Sequence, residues 1–150
     1  MPDLLFIFGA KYLIFASILL TGYYLFVSPI ETRKKLMIFL LISLPFAYIV
    51  GIGAREMYVN PRPFAVENFE PLVAHAADNG FPSDHVLLAA SLAAILFFFN
   101  RRYAAWLGGF AIFIAVSRVY VGVHHSLDVL ASIGIAMLCA IITSKLYASR

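Results

Sequence analysis

The charged residues of this chain fall mostly between five long apolar stretches, and that pattern limits the folds open to it. The stretches run approximately Leu4–Val27, Leu36–Ala54, His85–Phe99, Ala104–Tyr120 and Leu127–Tyr147. A helix crosses a bilayer with about 20 predominantly apolar residues, so each is a candidate span. The third is short when only its apolar residues are counted. It becomes adequate if its helix starts near Ser83 and a polar first turn sits at the membrane surface. Composition agrees: at 63% hydrophobic and 13% charged, with a mean hydropathy of +0.91, a soluble domain of 150 residues would have too much surface to cover. The first stretch lacks the basic leader and small-residue cleavage site of a signal peptide and is too long for its apolar core, so it reads as a retained span.

Charge sets the expected sidedness. Alternating crossings put Arg33, Lys34, Lys35, Arg101, Arg102, Lys145 and Arg150 on one face against Glu31 alone, which the positive-inside bias makes cytoplasmic. The opposite face receives the Arg55–Asp84 segment and the Val121–Ser126 link. The expected fold class is therefore all-α integral membrane: a bundle of about five transmembrane helices, one domain over residues 1–150, with an extracytoplasmic loop between the second and third. The basic residues fall between apolar runs, a pattern of membrane topology and not of nucleic-acid binding. The single cysteine, Cys139, lies inside an apolar run and supports no disulfide framework.

Ionisable residues at membrane level are costly and mark functional sites by default. Here they gather at three places that the span count brings to one face: Arg55-x6-Arg62-Pro63, Pro82-Ser83-Asp84-His85, and Ser117-Arg118-x5-His124-x3-Asp128. Arg55, Arg62 and Arg118 supply permanent charges with forked donors suited to phosphate oxygens. Ser83 adds a hydroxyl, and the backbone N–H groups of Ser83, Asp84 and His85 are expected to open a helix, where unpaired donors favour an anion. His124 and Asp128 are four apart, which on a helix would place them on one face. A carboxylate on one imidazole nitrogen leaves the other available as a nucleophile. His85 is then free to act as general acid.

These three clusters resemble the signature of the type-2 phosphatidic-acid phosphatase superfamily, which also contains the vanadium haloperoxidases: KxxxxxxRP, PSGH and SRxxxxxHxxxD. Order and internal spacing agree over residues 55 to 128. Two positions depart from it. Arginine stands for lysine at Arg55, keeping the charge, and aspartate for glycine at Asp84, which keeps the phosphate-binding backbone N–H but adds a carboxylate that must point away, pair with an arginine or shape selectivity. The string Asp78-Asn-Gly-Phe-Pro-Ser-Asp-His85 is similar to the bacitracin-resistance branch of undecaprenyl-diphosphate phosphatases.

The resemblance implies a lipid diphosphate or monophosphate as substrate, with membrane lipids as surroundings and no metal or other cofactor. It implies that His124 attacks phosphorus to give a phosphohistidine, that Asp128 orients His124, that His85 protonates the leaving group, and that Arg55, Arg62, Ser83, Asp84 and Arg118 hold the phosphate. Competing expectations are a phosphatidylglycerophosphate or phosphatidate phosphatase, a lipid-phosphate carrier or flippase, and a metal site built from His85, His124, His125 and Asp128. Three arginines disfavour a cation there.

Blander roles are expected elsewhere. His75 and His125 fall outside the motif spacing and read as hydrogen-bonded structural groups. Tyr23, Tyr24, Tyr103, Trp106 and the Phe97–Phe99 tract read as lipid-facing packing and interfacial anchors. Gly51, Gly53, Gly108, Gly109 and Gly134 read as points of close helix approach.

Overall fold

The computed structural model describes residues 2–67 and 69–148. Regular structure among them is helical: α1 (Pro2–Lys11), α2 (Leu13–Val27), α3 (Ile30–Met57), α4 (Pro63–Glu67), α5 (Asp84–Phe97), α6 (Arg101–Tyr120) and α7 (Ser126–Ala148). An isolated bridge joins Pro61 to Asn79.

The surface identifies the solvent. Large apolar side chains stand outward along the helices, with Leu19 73% and Phe26 76% exposed, while Ser17, Thr21, Ser132 and Thr143 are buried. The buried hydroxyls of Thr21 and Thr143 donate to carbonyls one turn back, at 2.9 Å each, so few polar groups meet the hydrocarbon. Such a molecule is an integral, multi-pass membrane protein.

α3, α6 and α7 are long and apolar enough to cross a bilayer. The first apolar stretch is not one helix: α1 and α2 meet near Tyr12 at a 50° bend and form a fourth candidate crossing only as a pair. The third stretch also differs from a full-length span. α5 starts next to Ser83, as expected, but ends at Phe97 after 14 residues, about 21 Å against the roughly 30 Å of a hydrocarbon core. Its Val86, Leu87, Ala89, Ala90, Ser91, Leu92, Ile95 and Leu96 are all buried, and it packs on α2, α3, α6 and α7. The stretch is rich in alanine because its neighbours are helices on nearly every side.

Gly51 provides the close approach expected of it, since a Cβ there would lie 2.9 Å from Leu87 Cδ2, at the crossing of α3 and α5. Gly53, Gly108, Gly109 and Gly134 do not, for nothing lies within 4 Å of a Cβ built at any of them. Tyr24 is buried, its ring centroid 4.6 Å from that of Tyr103, so it packs within the bundle and not against lipid.

The basic end of the bundle is built by caps. Arg33 donates to the carbonyls of Leu25, Phe26 and Ser28 at 3.1, 2.6 and 3.3 Å, closing the C-terminus of α2. Asn100 caps α6, its side-chain oxygen accepting from the amides of Arg102 and Tyr103. At the opposite end α3 finishes, α5 begins, α6 finishes and α7 begins, and the three sequence clusters meet there.

Candidate active site

The floor of the site is His124. It lies in the turn between α6 and α7, which Gly122 makes possible with a φ of +80°. His124 therefore precedes the helix and does not share a helical face with Asp128, as its spacing had suggested. Asp128 sits in the first turn of α7, fully buried, and its Oδ2 accepts from the His125 amide at 2.8 Å. That is half of a capping box, in which an acidic side chain reaches back to the amide before the helix. The same oxygen lies 3.4 Å from His124 Nδ1, within ion-pair distance but outside hydrogen-bond geometry. Catalytic contacts of this kind are commonly long before substrate binds.

Two guanidinium groups close on the other nitrogen of the ring. Arg62 Nη1 is 3.3 Å and Arg118 Nη2 3.2 Å from His124 Nε2. All three residues are buried, at 5%, 4% and 3% exposure respectively. A guanidinium can only donate, so Nε2 must present its lone pair and the ring proton belongs on Nδ1, facing Asp128. The surroundings select the tautomer in which the lone pair lies on the nitrogen beside the arginines. Burial first, and then Arg118 and Arg62, hold the His124 pKa below its ordinary 6.5 against the pull of Asp128.

Each arginine is itself held. Arg62 Nε donates to Asp78 Oδ1 at 2.6 Å and its Nη1 to the Val123 carbonyl at 2.8 Å. Burial alone would raise the Asp78 pKa, but the hydrogen bond and charge of Arg62 win and hold that carboxyl below its usual range. Arg118 Nη1 donates to the Ala10 carbonyl at 3.4 Å, near the end of α1. Arg118 Nε and Ser83 Oγ are buried without a partner among the described residues. A buried donor left unsatisfied costs about 1–3 kcal/mol, and an anion beside either would accept from it.

The remaining cluster residues take other positions. Ser83 is fully buried at the N-cap of α5, and His85 is partly buried in its first turn. Arg55 does not join the other two arginines on His124. Its Nη2 donates to Asp84 Oδ1 at 2.7 Å, with the two side chains 33% and 57% exposed. The two departures from the family signature thus pair with each other at the rim. His125 points away, its Nε2 3.1 Å from the Pro61 carbonyl. Among the described residues no group of three or more His, Cys, Asp or Glu side chains converges as metal ligands.

Several participants carried no signal in the spacing. Asn60 Nδ2 donates to Asp128 Oδ1 at 2.7 Å. Asn79 accepts from the amides of Asn60 and Phe81 and donates to the carbonyls of Arg55 and Tyr58, tying the end of α3 to the approach to α5. The segment before it is fastened at its other end, where the Leu72 amide donates to the Val121 carbonyl at 3.1 Å. On that segment His75 stands with its ring centroid 6.4 Å from that of His124. Burial, then Arg62 and Arg118, lower its pKa below 6.5.

Fold and site together define a class: a helical membrane protein carrying a buried His–Asp pair whose free imidazole nitrogen faces two arginines. A family model described as the PAP2 superfamily matches residues 36–150, and the chain belongs to that superfamily. It is 31% identical over 144 residues to "Undecaprenyl-diphosphatase BcrC" of Bacillus subtilis, covering 91% of this chain and 70% of that one. It is 35% identical over 113 residues to "Bacitracin transport permease protein BcrC" of Bacillus licheniformis, covering 73% of this chain and 55% of that one. The chain thus spans between about half and seven-tenths of the length of these curated relatives. Among solved structures, that of Aquifex aeolicus LpxE superposes with a TM-score of 0.70 at 27% identity, over 94% of this chain and 81% of that one. A PAP2-type phosphatidylglycerolphosphate phosphatase from Bacillus subtilis superposes at 0.69 and 23% identity, over 97% and 74%, and shares the fold.

Proposed function

We propose that this chain is a membrane lipid-phosphate phosphohydrolase whose substrate is undecaprenyl diphosphate, converted with water to undecaprenyl phosphate and phosphate. The observation that carries the reading is the convergence of Arg62 and Arg118 on His124 Nε2, with Asp128 behind Nδ1. In this mechanism Nε2 attacks the terminal phosphorus, and the bond from that phosphorus to the bridging oxygen breaks. The electron pair passes to the bridging oxygen, which takes a proton from the imidazolium of His85. Water then attacks the phosphohistidine, gives its proton to His85, and releases phosphate with His124 restored. Arg62 and Arg118 stabilise the charge on the transferring group, the largest single contribution in reactions of this kind. Asp128 orients His124, and Ser83 Oγ and the amides of Asp84 and His85 at the start of α5 complete the phosphate cradle. Arg55 attracts the anion from the rim.

The choice of lipid rests on the relative named undecaprenyl-diphosphatase and on the Asp78–His85 string. The reading counts five crossings, with α5 as a short central one and α1–α2 as a bent one, and an extracytoplasmic site. The basic end formed by Arg33, Lys34, Lys35, Arg101 and Arg102 favours that orientation. The whole chain then works as one domain.

The test is phosphate release by the purified protein in detergent with a chelator present, comparing undecaprenyl diphosphate, phosphatidate and phosphatidylglycerophosphate. Undecaprenyl diphosphate is expected to be turned over fastest, and His124→Ala to lose about a thousandfold or more of that rate while remaining folded. Near-normal turnover by His124→Ala would sink the mechanism, and equal rates on the three lipids would sink the choice of substrate.

A further inference from the structure

The His–Asp pair and His85 leave one histidine of the cleft without a task. His75 lies on the irregular segment between α4 and α5, exposed, with its ring at 74° to that of His124 and the centroids 6.4 Å apart. It stands within electrostatic reach of Arg62, Arg118 and Asp78, and of His85. Its polar contact with the protein is slight, Nδ1 lying 3.4 Å from the carbonyl of the adjacent Ala76. At that length either ring nitrogen is free to carry a proton for another acceptor.

The cleft is graded from buried to open. Arg62, Arg118 and His124 form a floor no more than 5% exposed, which suits one phosphoryl group. In-line displacement places the leaving group opposite the attacking nitrogen. What departs from phosphorus therefore points away from this buried floor, and His75, exposed and with its ring centroid 6.4 Å from that of His124, is within reach of a second phosphate there. In a phosphate monoester that departing part is a single oxygen followed by carbon. In a diphosphate it is a second phosphate, with oxygens able to accept from an imidazole.

We propose, on the basis of the lipid-phosphatase reading above, that His75 binds the departing phosphate of a diphosphate substrate and so selects diphosphates over monoesters. Burial, and after it the charges of Arg62 and Arg118, lower the pKa of this imidazole. An incoming phosphate offsets those charges and allows the ring to become a cationic donor beside the group that leaves.

Inorganic pyrophosphate and orthophosphate separate the two positions, because the first reaches both and the second needs only the floor. Their inhibition constants against undecaprenyl diphosphate turnover are to be measured in wild type, His75→Ala and His75→Gln. Wild type is expected to prefer pyrophosphate, and His75→Ala to lose about tenfold of that preference, the size of one hydrogen bond to a charged group. Orthophosphate inhibition should be unchanged in His75→Ala. His75→Gln, which keeps a donor, should retain part of the preference. An unchanged ratio in His75→Ala overturns the proposal, as does equal weakening toward both anions. Thermal-shift titration with the same two anions reads the ratio without turnover. If no lipid phosphate is hydrolysed by wild type, the enzymatic reading fails on its own evidence, separately from the anion preference.

Discussion

The side-chain amide of Asn60 donates to Oδ1 of Asp128 at 2.7 Å, joining the first sequence cluster to the last. With the His125 amide on Oδ2, each oxygen of the carboxylate has its own donor, and the two bonds together orient it toward His124. Asn60 is thus a positioning residue that acts through Asp128. Asn60→Ala should lower kcat about tenfold or more, as expected for one hydrogen bond to a charged group, with little change in KM. Steady-state kinetics check this, and a change confined to KM would contradict it.

Arg118 serves two acceptors from separate nitrogens, Ala10 O and His124 Nε2. A lysine has one ammonium and cannot span both with the same fork. Arg118→Lys should therefore lose at least about tenfold in kcat although the charge is conserved, within the range found when one oxyanion donor is removed. Full activity in Arg118→Lys would show that charge alone suffices.

The acid limb of the rate profile follows from the environment of His124. In the proposed mechanism only the neutral imidazole attacks, and burial with the two guanidinium groups disfavours the protonated ring. The attacking form therefore persists below the ordinary pKa of 6.5, and activity should fall only as pH drops past that lowered value. A kcat/KM profile measured from acid to neutral pH tests the sign. An acid-limb inflection assigned to His124 above 6.5 would contradict it.

Because Asp84 holds Arg55 at the rim, removing the carboxylate charge should release a cation toward the substrate. Asp84→Asn is expected to tighten inhibition by inorganic phosphate by up to about fivefold, the scale of a partly exposed ion pair. Arg55→Ala should weaken it by a comparable factor, far less than Arg62→Ala. Inhibition constants for the three variants decide the order.

Much of the site was legible in the sequence because its residues are of types that lipid does not tolerate without cause. Arg62, Arg118, His124 and Asp128 could be picked out by charge and spacing, and the structure brings them together. The geometry of the His–Asp pair was not legible, since a spacing of four is shared by a helical turn and by a helix start folded back on its preceding loop. Asn60 and Asn79 were missed, and His75 was read as a structural group, for a different reason. Neutral or isolated polar residues in a proline-broken loop look like ordinary loop chemistry, and only contacts distant in sequence give them a task. The fold was legible to the extent that apolar length is a measure of span. It was incomplete at α5, which is shorter than a full span and buried among other helices, and at Tyr12, where a 50° bend interrupts a continuous apolar run.

The fastening of the Leu72–Asn79 segment at both ends has a mechanical consequence. A flap hangs from one attachment and can swing clear, whereas a strap with two can only bow. The wall that carries His75 and Asp78 is a strap, anchored to Val121 at one end and through Asn79 to Asn60 and α3 at the other. Its travel is limited by the few residues between its anchors, each contributing at most about 3.5 Å. Mutations that shorten or lengthen the strap would therefore move that limit in opposite directions.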